Sequence, residues 1–173
     1  MSERTNADKL AAAIHYVVAR FPAHQLGATK LNKILWYADC EFYSRHGRSL
    51  TGETHYVRKD QGPWSARFDA AVAHLVLHAA ISERRVRIID FYRREFYPRG
   101  EPDVSMFSSE ELDTLIKIAT EIAPHTADKV AEESHQMLWD CVPPNGKMSV
   151  AAGAVTGDPL DDSDMEWARS VLA

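Results

Sequence analysis

Cysteine is scarce in this chain. The two present, Cys40 and Cys141, belong to no paired motif, so neither a disulfide framework nor a cysteine-ligated zinc site is expected, and both are read as buried thiols of a reducing compartment. Long apolar runs are missing as well. None approaches the ~20 residues a membrane-spanning helix needs, and the opening MSERTNADKL has no apolar signal-peptide core, so the expected location is the cytoplasm. No glycine-rich phosphate loop and no Walker lysine occurs, which removes the commonest nucleotide-binding signatures. Nor is there an excess of positive charge. Twenty Lys and Arg stand against 25 Asp and Glu, a net charge of −5, which argues against a protein that coats DNA and leaves room for a local basic patch. Internal repeats and low-complexity segments are absent too.

What is present is apolar content, 45% over 173 residues, enough for one domain spanning residues 1–173 to bury a core without metal or disulfide. The central element is Thr29 to Gly47, TKLNKILWYADCEFYSRHG. Leu31, Ile34, Leu35, Ala38 and Phe42 recur at three- and four-residue steps, Thr29 is a candidate N-cap and Gly47 a candidate C-terminal glycine. Trp36, Tyr37 and Tyr43 widen its aromatic surface, part of which must meet a second layer or a partner.

Around it the spacing predicts a first helix over 7–21, with Asn6 as cap, Leu10, Ile14, Val17, Val18 and Phe21 inward, and Pro22 as its end. The short connection through Gly27 makes the first two helices candidate antiparallel neighbours whose stripes bury each other. Residues 48–61 lose helical periodicity and alternate as a short strand or extended loop. Gly62-Pro63-Trp64 reads as a turn feeding a helix that begins at Trp64, presents Phe68, Val72, Leu75, Val76 and Ala79, and packs on the central helix. The segment 84–99, RRVRIIDFYRREFYPR, reads as a β-hairpin or two short strands. Ser108 and Glu111 form a capping box ahead of Leu112, Leu115, Ile116, Ala119 and Ile122. Beyond Pro124, Thr126 caps a short helix, Lys147 to Val155 adds a strand or turn, and an acidic last helix occupies 156–173, its acids favoured at the helix start. The fold class is therefore α+β, mainly helical: about five to six helices with a small β-hairpin or short antiparallel sheet.

Candidate chemistry is sparse. His74 and His78 have the four-residue spacing that can place two imidazoles on one metal, but HLVLH lacks the glutamate of a zincin, and no metal or cofactor is expected. Ser134, His135 and Asp140 do not form a triad, since neighbouring Ser and His cannot readily present to each other and no strand–Ser–helix elbow surrounds them. A hydrolase is thus the least supported reading, and the chain is expected not to be an enzyme. The segment from Arg84 to Arg99 is different. Arg84, Arg85, Arg87, Arg93, Arg94 and Arg99 outnumber Asp90 and Glu95, with Phe91, Tyr92, Phe96 and Tyr97 interleaved. Such a mixture suits a protein hot spot, a nucleic-acid groove, or a solvated strand face balanced by the acidic C-terminal segment, and all three stay open.

Three stretches carry a family resemblance: Lys30-Leu31-Asn32-Lys33-Ile34-Leu35-Trp36-Tyr37-Ala38, then His46 to Gly52 with Gly47 and Leu50, then Gln61-Gly62-Pro63-Trp64. With Ser134-His135 and Trp139 further on, they resemble the Panacea domain, the SocA-like antitoxin domain, over roughly residues 8–155. The resemblance implies the antitoxin of a two-component toxin–antitoxin system, often carried by phages or mobile elements, which binds and neutralises a protein toxin made from an adjacent gene. It assigns Lys30, Leu31, Lys33, Ile34, Tyr37, Gly47, Leu50, Gly62, Pro63, Trp64, Ser134, His135 and Trp139 to the family pattern, with fold-keeping ahead of binding. Partner contact is expected from Arg85, Arg87, Tyr92, Arg93 and Arg94, with Tyr37 and Trp64 as further candidates. The alternative is a nucleic-acid-binding regulator using the same arginine segment.

Overall fold

A computed structural model describes residues 3–125, 139 and 141–155 of the chain. The expected short helix from Thr126, the Ser134-His135 pair, Asp140 and the acidic segment 156–173 lie outside the described residues.

Helix α1 spans Glu3–Val18 and buries Leu10, Ile14, Val17 and Val18. It runs through Asn6, which is therefore not its cap. It also stops short of Pro22, whose fixed φ opens a separate 3-10 turn at Ala23–Gln25. Helix α2, Ala28–His46, is the central element. Leu31 to Trp36 are buried without a break, as in a helix surrounded on all sides. Its N-cap is Gly27, which offers no side-chain cap; the expected capping residue Thr29 sits in the first turn and donates its hydroxyl to Gln61 Oε1 at 2.8 Å. At the other end Gly47 takes φ +66° and its N–H closes on Tyr43 O, the left-handed stop that favours glycine.

Strand β1 (His55–Lys59) pairs antiparallel with β2 (Gly62–Trp64) on one side and β5 (Lys147–Ser149) on the other, giving the sheet order β2-β1-β5. Gly62-Pro63-Trp64 is thus a strand, paired Lys59↔Gly62 and Val57↔Trp64, and not the entry to a helix. As an edge strand β2 can tolerate Pro63, which has no N–H to give a ladder. Helix α3 begins only at Phe68 and ends at Leu77, burying Phe68, Ala71, Val72 and Leu75, while Val76 and Ala79, expected inside, are exposed.

The arginine segment forms a second, two-stranded sheet: β3 (Ile81–Ile88) and β4 (Phe91–Pro98), in unbroken register from Ile81↔Pro98 to Ile88↔Phe91 around the turn at Ile89-Asp90. Helix α4, Ser109–Ile122, carries the expected capping box: Glu111 N donates to Ser108 Oγ, and Ser108 N donates to Glu111 Oε2. Helix α5, Val150–Val155, follows β5 directly. The class is α+β and mainly helical, with five α-helices among the described residues.

The helix partners differ from those expected. α1 packs chiefly on α3, α2 packs on α4, α5 and β2, and α1 touches α2 only locally. An apolar stripe tells a helix which face to bury, not what will cover it. The core they share centres on Leu10, Ile14, Leu31, Ile34, Leu35, Phe42, Leu50, Tyr56, Phe68 and Phe96.

Candidate functional site

Most of the described residues that the resemblance assigns to the family pattern face inward, Gly47 being exposed. Lys30 Nζ donates to Gln25 O at 2.8 Å and Ala123 O at 2.9 Å, joining the 3-10 turn to the end of α4. Burial, then the nearby Arg93 charge, lowers its pKa. The Lys33 side chain is fully buried beneath Gly62, whose φ is +133°; a Cβ there would come within 2.7 Å of Lys33 Cε. Leu31, Ile34, Leu50 and Pro63 are buried, and Trp139 is buried with the Arg58 guanidinium 4.7 Å from its ring centroid. Trp64 and Tyr37 are half-buried against the core, Trp64 edge-on to Phe68 at 5.3 Å. Trp36 is sealed between Tyr56, 5.2 Å away and nearly perpendicular, and Gly153 of α5.

A buried polar group beside these residues was not singled out from the sequence. Asp39 accepts from Thr51 N at 2.7 Å, Thr51 Oγ1 at 2.6 Å and Tyr56 OH at 2.8 Å. Burial, reinforced by the charge of Glu53, pushes its carboxyl up to about 7 against the effect of those three bonds. Burial and then Asp39 push the Tyr56 hydroxyl well above its ordinary range. Glu53 in turn receives Ser65 Oγ at 3.1 Å and Arg67 Nε at 2.8 Å, while Asn32 Oδ1 receives Ser65 N at 2.9 Å. Asp39, Thr51 and Ser65 are fully buried, so this group offers a substrate no approach. It fastens the connections around β1 and β2 to α2. The legible signal was Asn32 and Asp39, two helical turns apart and close to the apolar stripe of Leu31, Ile34, Leu35 and Ala38.

The hairpin carries a bonded set of side chains and an exposed end that overlaps it. In the bonded set Arg94, opposite Arg85, donates to Glu83 Oε1 and Asp69 Oδ1, each at 2.6 Å, and its guanidinium lies 5.6 Å from the Phe96 ring centroid. On the opposite face Arg93 Nε donates to Glu95 Oε1 at 3.0 Å and Tyr97 OH to Glu95 Oε2 at 2.7 Å. The Tyr97 bond first, then Arg93, hold the buried Glu95 carboxyl below its ordinary range although burial opposes them. Arg93 and Arg94 are therefore both engaged by carboxylates of this chain. The balancing acids are Glu83, Glu95 and Asp69, near neighbours of the hairpin. The exposed end begins at Arg84 and Arg85, which stand opposite Glu95 and Arg94, and continues to the turn with Arg87, Ile89 (83%), Phe91 (59%) and Tyr92 (67%). Register places Arg85, Arg87 and Tyr92 on one face, with Arg94 behind them and Arg93 on the other. Trp64 connects to this unit through Phe68, which meets Phe96 edge-on at 6.3 Å.

The remaining candidates carry less. His74 and His78 stack with ring centroids 4.2 Å apart, both exposed. Among the described residues no three His, Cys, Asp or Glu side chains gather as a metal site would require. Cys40 is buried, and burial raises its thiol far above the ordinary value; Cys141 is exposed, contrary to the expectation of two buried thiols. No helix among the described residues is long and apolar enough to cross a membrane.

Comparison with known proteins gives one family: a model described as antitoxin SocA-like, Panacea domain, matches residues 31–140, more than half of the chain. No curated protein and no solved structure matches.

Proposed function

Because the chain belongs to the SocA-like antitoxin family, with a Panacea domain, we propose that it is the antitoxin of a two-component system and neutralises a protein toxin made from an adjacent gene by binding it directly. The contact surface in this reading is the end of the β3–β4 hairpin. Three exposed arginines and three exposed apolar side chains there match the arginine and aromatic anchors that dominate protein interfaces. The family-pattern residues act as scaffold: Lys30, Lys33, Gly62 and Trp139 hold elements together inside the body. Neutralisation is occlusion of toxin surface, and the antitoxin needs no catalytic group for it. The chain acts in the cytoplasm, as one domain.

The observation that carries the class is the family match over residues 31–140. The test is co-expression with the product of the adjacent reading frame. The intact chain should restore growth and co-purify with that product, and the double variant Arg85→Glu/Arg87→Glu should fold and fail at both. A folded double variant that still binds and rescues would remove the hairpin end from the interface. Growth arrest unrelieved by the intact chain would remove the antitoxin reading itself.

A further inference from the structure

We propose that the toxin is held by strand addition: an extended, acidic segment of it pairs along the outer edge of β3. This rests on the antitoxin reading above and specifies how its site is engaged.

The geometry follows from the register. The two-residue turn at Ile89-Asp90 makes Ile88 and Phe91 a mutually hydrogen-bonded pair, and alternation then makes Val86↔Arg93, Arg84↔Glu95 and Ser82↔Tyr97 hydrogen-bonded pairs too. The bond from Arg99 N to Ala80 O, one step beyond the strand ends, agrees with this phase. Glu83, Arg85 and Arg87 therefore point their backbone N–H and C=O groups away from β4. The sheet has only two strands among the described residues, so nothing in it pairs with that side. β4 is the inner strand, lying against α1, α2 and the 3-10 turn, whereas β3 packs on α3 beside its root and is open toward its end.

An open edge of this length is a template for another strand. Its side chains state which strand. Arg84, Arg85 and Arg87 project to both faces of the edge, exposed, in a chain whose net charge is −5. They oppose pairing with a second copy, since two such edges would set arginine against arginine. They favour a segment with carboxylates at the facing positions and apolar residues toward Ile89, Phe91 and Tyr92.

The experiment is residue-level hydrogen exchange on the full chain, alone and co-purified with the product of the adjacent reading frame. Amides of Val86 and Ile88, bonded within the hairpin, serve as the internal reference. Strand addition slows the Arg85 and Arg87 amides at least tenfold in the complex. A complex that forms and restores growth while those amides exchange as in the free chain overturns the inference and leaves the antitoxin reading standing. Failure to form any complex overturns both. Protection that appears in the free chain and grows with its concentration assigns the edge to a second copy, and protection produced by a DNA duplex instead assigns it to nucleic acid; either result overturns the inference. A variant pair separates backbone from charge: Arg85→Pro removes an outward N–H that β4 does not use, whereas Arg85→Ala keeps it. Arg85→Pro should weaken binding at least tenfold more than Arg85→Ala, with both melting as the parent does; equal losses point to side-chain docking alone.

Discussion

Lys9 of α1 and Glu111 of α4 lie 102 positions apart and meet at 2.6 Å, with side chains only 7% and 2% exposed. Glu111 also accepts from Arg48 at 2.7 Å and completes the α4 capping box, so one carboxylate ties α1, the segment after α2 and the start of α4 together. Burial works to raise its pKa, but the bonds from Lys9, Arg48 and Ser108 outweigh it and hold the carboxyl below its ordinary range.

Replacing Glu111 by Gln should therefore be costly, because Lys9 is left as a buried charge without its acid. Removing one partner of such a pair costs ~3 kcal/mol, equivalent to a fall of roughly 6–12 °C in melting temperature at this chain length. Adding Lys9→Met to Glu111→Gln should recover much of the loss. A double variant less stable than the single would show that Lys9 contributes by packing alone. Since the Glu111 pKa is depressed by folding, its contribution is present above the ordinary glutamate range and is lost as pH falls through the folded value.

Asp39 has the opposite sign. Its carboxyl keeps its proton up to about 7 when folded but only to 3.8 in the unfolded chain, so it favours folding most below 3.8 and loses that contribution as pH rises toward 7. Asp39→Asn cannot titrate. The stability advantage of the parent over this variant should shrink across that window, with a limiting slope of ~1.4 kcal/mol per pH unit. Urea denaturation at several pH values within it is the measurement, and a constant difference would contradict the assignment.

Gly153→Ala should loosen α5. The added Cβ would stand 2.6 Å from Trp36 Cζ2 and 2.7 Å from Cys40 Sγ, and overpacking of this kind costs ~1–3 kcal/mol. Trp36→Phe in the same chain removes the nearer clash and should restore part of the loss. Absence of any rescue would place the strain elsewhere.

Arginines of the hairpin should separate into two kinds. Arg94→Ala leaves Glu83 and Asp69 without their shared partner and should lower the melting temperature. Arg87→Ala, at an exposed position, should leave it within about a degree. If both melt alike, the division between bonded and exposed arginines is wrong.

Much of this was legible because it is local. The capping box at Ser108 and Glu111, the glycine stop at Gly47 and the alternation in Arg84 to Arg99 each depend on residues a few positions apart. What stayed hidden is non-local. Gly62-Pro63-Trp64 is a strand only because β1 lies beside it, and α1 prefers α3 because α2 already buries most of its faces. The division of the arginines was hidden for the same reason: Arg94 is committed by Asp69 on α3, and no pattern within the hairpin reveals that. Asn32 and Asp39 could have been noticed as polar residues two turns apart beside an apolar stripe, but the bond from Tyr56 required the fold.

The hairpin runs without interruption from Ile81 to Pro98, and the side chains that anchor it reach from its ends as far as Arg93, opposite Val86, leaving the stretch from Arg87 to Tyr92 outside those bonds. It is consequently portable. Residues 87–92 can be rewritten as a cassette, lengthened by paired insertions or exchanged for the matching stretch of another chain, without disturbing Phe96, Glu95 or the body below. Recognition could then diversify at the pace of a loop while its backbone presentation kept the precision of a strand.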